Sequence, residues 1–179
     1  MSVTITNIIS NINQSVFYWF NNASYTKGST VGSLRDHFDG LNIKLGFPSA
    51  LDKLSLPALT IELEPVLEQD DEVFGQYTQQ IVFPFTIYGF SGAHDQDGDN
   101  RYTRDALKND VRFLLQKSDY LNVYDFPADG SPDFDTVLTD VEITNVKSRD
   151  ISPTGPNKVD RYRFIVEFAI SYYWDIDLS

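Results

Sequence analysis

The stretch from Lys158 to Asp175, KVDRYRFIVEFAISYYWD, limits what this chain can become more than any other. Tyr162, Phe164, Val166, Phe168, Ile170, Tyr172 and Trp174 occupy every second position, so an extended strand here carries one unbroken apolar face. Arg161, Arg163, Glu167 and Ser171 fall on the other face. Such a strand has to lie in a sheet with another layer packed on its apolar side. At ~3.3 Å per residue the row is on the order of 40 Å long. That exceeds what two modest helices cover, so part of it is expected to be buried by another subunit.

The rest of the chain supplies matching pieces. In PALTIELEP, Leu59, Ile61 and Leu63 alternate with Thr60, Glu62 and Glu64, and Pro65 closes the strand. YTQQIVFPFTIYGF is a second long strand, with Ile81, Phe83, Phe85 and Ile87 on one face. Its Pro84 lacks an N–H and belongs at an edge or a bulge. Ile5, Ile8, Ile9, Ile12, Val16, Trp19 and Phe20 follow a helical period that ends at Asn21-Asn22. TRDALKNDVRFLLQKSD carries Leu107, Val111, Leu114 and Leu115 on one stripe, with Thr103 as the expected N-cap. Ser24–Ser33 and Asp119–Thr136 read as loops, and VLTDVEITNVKSRD forms a hairpin with the last strand. The expected fold is one α+β domain over residues 1–179. It is a mainly antiparallel β-sheet with two amphipathic helices packed on one face and a long C-terminal β-hairpin.

The net charge of −12 is concentrated in residues 61–142, which hold 18 acidic and 5 basic side chains. A middle this acidic disfavours tight binding of nucleic acid, which Lys and Arg drive. There is no cysteine, hence no disulfide, thiolate metal site or thiol nucleophile. No apolar run is long enough for a membrane helix. MSVTITNIISNINQ lacks the basic start and apolar core of a secretion signal, so action inside a cell is expected.

Chemistry has few footholds. HDQDGDN places Asp95, Asp97 and Asp99 like the opening of a calcium loop. The sixth position is Asn100 in place of Gly, and the twelfth is Ala106 in place of Glu. An exposed connector feeding the next helix explains the same residues, and a calcium-dependent binding module is the alternative reading. His37 and His94 each adjoin an aspartate without any metal- or triad-type spacing, and no GxSxG, P-loop or GxGxxG occurs. The expectation is a protein with no catalytic site, no cofactor and no metal. The connector VLEQDDEVFGQ, Val66 to Gln76, is long for a hairpin tip. It mixes Glu68, Asp70, Asp71 and Glu72 with Val66, Leu67, Val73 and Phe74, the composition of apolar anchors within a polar rim. Together with Arg161, Arg163 and Trp174, these residues are the interface candidates.

In its order of parts the chain resembles the tail-terminator proteins of long-tailed bacteriophages. The parts that carry the likeness are the N-terminal amphipathic helix, LPALTIELEP, the acidic connector, QQIVFPFTIYGF, the helix TRDALKNDVRFLLQKSD and the closing aromatic hairpin. The likeness covers nearly the whole chain and lies in order and texture, without a diagnostic motif. It implies a structural virion protein, assembled in the host cytoplasm, that forms a ring, six-fold in that family, at the head-proximal end of the tail. Its implied partners are further copies of itself, the tail tube or sheath protein and a head-completion or neck protein. DNA is implied to pass through without specific binding. Tube terminator, sheath terminator and other neck ring all stay open.

Overall fold

Two strands form the spine of the molecule: β6, Gln76–Ala93, and β10, Arg161–Asp175. They run antiparallel from Ala93 opposite Arg161 to Thr78 opposite Asp175, with one bulge at Tyr162/Arg163. This computed structural model describes residues 5–46, 55–65, 67–73, 76–93, 98–118, 121–127, 130–138, 141–151 and 161–175. The other elements are helix α1 (Ile5–Asn22), hairpin strands β1 (Tyr25–Lys27) and β2 (Thr30–Gly32), and the single-turn α2 (Leu34–His37). They continue with β3 (Asn42–Leu45), β4 (Ala58–Leu63), β5 (Leu67–Val73), α3 (Asp99–Lys117), β7 (Val123–Asp125), β8 (Asp133–Leu138) and β9 (Val141–Ile151).

The main sheet runs β3-β4-β6-β10-β9, and β5 also pairs with β6. Every contact in it is antiparallel except β3 with β4. One side of β6 is shared: β4 takes Phe85 to Phe90 and β5 takes Gln76 to Val82. Pro84 sits at the seam. Its carbonyl accepts from the Glu64 N–H at 2.8 Å. N–H and C=O of one strand residue point the same way, so the donor that proline lacks falls where β4 has ended and β5 has not begun. A proline inside a central strand is tolerated for that reason.

Both helices cover the same side of the sheet. Ile8, Ile12, Val16 and Phe20 of α1 and Leu107, Val111, Leu114 and Leu115 of α3 meet Phe83, Phe85, Phe164, Val166 and Phe168 in one core. The expected fold class is borne out. Tyr162, Phe164, Val166, Phe168 and Ile170 are all buried within the chain, so this length of the aromatic row needs no second subunit. The two helices, each 18 or 19 residues long, reach further than the sequence argument allowed. The side chain of Trp174 lies outside the described residues.

Local chemistry explains the element ends. Asn21 and Asn22 donate from their amides to the carbonyls of Phe17 and Tyr18 at 2.8 and 2.7 Å, closing the last turn of α1. Helix α3 starts at Asp99, earlier than the Thr103 cap expected from sequence. Its N-cap is Gly98 with φ 75°, and Asp99 sits in the first turn, where a carboxylate suits the helix dipole. At Gly92 a Cβ would lie 2.5 Å from the Asn100 side chain, so a larger residue there would have to displace Asn100.

Candidate interaction surfaces

The residues singled out from sequence scatter over three places. Glu68, Asp70, Asp71 and Glu72 belong to β5, a strand paired residue for residue with β6 from Leu67↔Val82 to Val73↔Gln76. The eleven-residue connector expected here is thus mostly ladder. Pairing in register leaves only Phe74 and Gly75 between the strands, and Phe74 lies outside the described residues. The β-propensity of so acidic a segment is poor. The neighbouring strand β6, already fixed by β10, supplies the template that single-segment propensity does not report.

Arg161 and Arg163 lie far from that strand, at the opposite end of β10, and both are partly buried. The structure does not bring them together with the acidic strand inside one subunit. Of the calcium-loop residues, Asp95 and Asp97 lie outside the described residues, and Asp99 opens α3. His94 is likewise outside them. His37 packs its ring 4.5 Å from that of Tyr25, with Nε2 3.2 Å from the Tyr25 carbonyl oxygen. Among the described residues no three His, Asp or Glu side chains converge as a metal site would need. No helix among them is long and apolar enough to cross a membrane.

The sheet face away from the helices carries most of the sheet's charged side chains. Thr60, Tyr88, Ile165 and Arg149 stand in register across four strands, and Glu62, Thr86, Glu167 and Lys147 form the next row. Lys44 on β3 extends the first row beside Thr60, and Glu167 lies directly opposite Lys147, so charges of both signs are interspersed on this face. Partial burial, then the adjacent Glu64, holds the Glu62 carboxyl above its ordinary range, against the lowering effect of a hydrogen bond from Tyr88. Burial first, then Glu62 and Glu64, raises the Tyr88 phenol, while Arg149 opposes them.

Strand β9 is bound to α3 by a buried charge. Arg104, 3% exposed, donates to Asp105 Oδ1 at 2.8 and 2.6 Å and sits 3.7 Å from Asp150 Oδ2. Its guanidinium lies over the Tyr162 ring at 5.4 Å. Lys108 completes the cluster, donating to Asp150 at 2.7 Å.

Sequence reasoning missed one surface, an aromatic patch where α1 meets the β7–β8 hairpin. The Tyr18 ring stands edge-on to those of Tyr124, Phe126 and Phe134, with centroids 6.0 to 6.5 Å away. Phe134 is 59% exposed. Beside it opens a cleft of about 340 Å³ lined by Tyr18, Trp19, Asn22, Ala23, Asn122 and Tyr124. Tyr124, Phe126 and Phe134 lie in a segment rich in proline and aspartate, and β7 is only three residues long, too short to show a period. Comparison with protein-family models and with curated proteins finds no match to this chain.

Proposed function

We propose that this chain is a structural virion protein: a ring subunit at the head-proximal end of a phage tail. The ring ends growth of the tail tube or sheath and joins the tail to the head or neck. It carries out no reaction, and DNA moves past it without being held. The observation that supports this reading best is the arrangement of parts. A long antiparallel pair, β6 and β10, is covered on one side by an N-terminal and a central helix. That order and layering are what the resemblance to tail terminators implies.

Charge supports the second half of the reading. The acidic residues concentrate in 61–142, and a channel lined with carboxylates offers phosphate no counter-charge.

A phage whose gene for this chain carries a nonsense codon tests the proposal. Electron microscopy of the lysate is expected to show tails of uncontrolled length detached from filled heads. Tails of normal length joined to heads would sink it.

A further inference from the structure

Three strands of the main sheet, β3, β5 and β9, have a side that no described strand pairs with, and two of them differ in charge. Among the described residues no strand pairs with the outer side of β5 or of β9. An uncovered edge is a template for another chain, and proteins guard such edges with charge or a bulge. Here the guards have opposite signs. Strand β5 carries four carboxylates in seven residues, Glu68, Asp70, Asp71 and Glu72, and no cation. On β9 the charged residues are Glu142, Lys147, Arg149 and Asp150. Asp150 is already engaged by Lys108 and Arg104 of α3. Glu142 is separated from the rest by Asn145, whose φ of 56° marks an irregularity where pairing with β10 shifts register. The stretch Val146–Ile151 is left with exposed Lys147 and Arg149 on its outward face.

We infer that copies of this chain associate head to tail, the acidic edge β5 of one copy meeting the basic stretch Val146–Ile151 of β9 in the next. Two β5 edges repel each other, so the charges disfavour two-fold pairing through β5 and favour the unlike contact that a closed ring needs. Strand direction fits. The order β5-β6-β10-β9 alternates strictly, each strand antiparallel to its neighbour. Four is an even number, so rotating a copy into the next place sets its β5 antiparallel to the preceding β9. The two edges are staggered along the sheet: Leu67 is level with Val82, Ser171 and Glu142, while Lys147 is level with Glu167. Their meeting therefore requires strands inclined to the ring axis, as in closed sheets generally, where the tilt is about 35–45°. The inference rests on the ring reading given above and adds which edges close the ring.

The chain has no cysteine, which makes thiol trapping clean. Gln69→Cys and Ile151→Cys leave every charge in place and by register fall on one face of the sheet. The chain bearing both is treated with a short bismaleimide at low salt, beside each single variant and a urea-denatured control, and native mass is measured without reagent. A ladder of covalent oligomers from the double variant alone, lost in Lys147→Glu/Arg149→Glu, is the expected result. Covalent dimers from either single variant above the denatured control would mean that like edges meet, and the inference is wrong. Oligomers in native mass without a ladder place the contact elsewhere and overturn the inference while sparing the ring. Monomer throughout, with no ladder, overturns the inference, while the ring reading falls only if the subunit is a monomer in the assembled tail.

Discussion

Gly89 shows how little slack the core has. It stands between Leu59 on β4 and Phe164 on β10, and a Cβ there would lie 2.1 Å from the Phe164 ring. The ring is buried and has nowhere to swing. Gly89→Ala is therefore expected to destabilise the fold by about 1–3 kcal/mol, the usual cost of overpacking, read from urea unfolding. Tyr25 gives a pH-dependent case. Its buried hydroxyl donates to Asp110 Oδ2 at 2.6 Å, and burial first, then Asp110, pushes its phenol far above the ordinary value. Since the folded value lies above the unfolded one, the stability it lends is complete below about pH 10 and is lost as the pH rises further. Tyr25→Phe is expected to cost about 1–2 kcal/mol at neutral pH. In denaturant titrations the gap to the parent should narrow above about pH 10. Glu62 has the same sign with a different outcome. Its raised carboxyl favours the fold only in acid, so Glu62→Gln should raise the urea midpoint at pH 7 and leave it nearly unchanged near pH 3.

Helix α1 does more than cover the sheet; its polar stripe serves β7 in place of a neighbouring strand. Asn11 Oδ1 accepts from the Phe126 N–H at 3.2 Å, and Ser15 Oγ accepts from the Tyr124 N–H at 2.9 Å. The Asn11 amide also donates to Asp125 at 2.8 Å. Both side chains are buried, so removing them strands backbone donors away from water. Asn11→Ala and Ser15→Ala are each expected to cost about 1–3 kcal/mol, with hydrogen exchange speeding first at the Tyr124 and Phe126 amides. Elements with several turns or several alternations were legible in the sequence: both long helices, β4, β6, β10 and the closing antiparallel pair. The short or acidic ones were not. The β1–β2 hairpin and β7 have three-residue strands, and β5 owes its conformation to β6 rather than to its own residues. Asn11 and Ser15 read as ordinary polar positions of an amphipathic helix, because their partners lie 109 to 115 residues away. The four carboxylates of β5 were visible from sequence, but Lys147 and Arg149 became their counterparts only once the strand order was known.

At the scale of the molecule, charge sets the behaviour toward DNA. With a net charge of −12, the chain is expected to leave duplex DNA unretarded in a gel-shift measurement even at about 50 mM salt, where cationic proteins bind tightly. A retarded band would remove the argument for free passage. The position of β10 has a further consequence, for synthesis. It follows every other described element along the chain, yet it lies between β6 and β9. A ribosome therefore releases both flanking strands, and both helices, before the strand that joins them exists. Until β10 emerges, Phe83 and Phe85 lack their neighbours Ile170 and Phe168, and β9 has nothing to pair with. Contacts of such long sequence separation form slowly, since the loop must be closed before any pairing compensates. The nascent chain thus waits with one side of β6 unpaired until its last strand arrives.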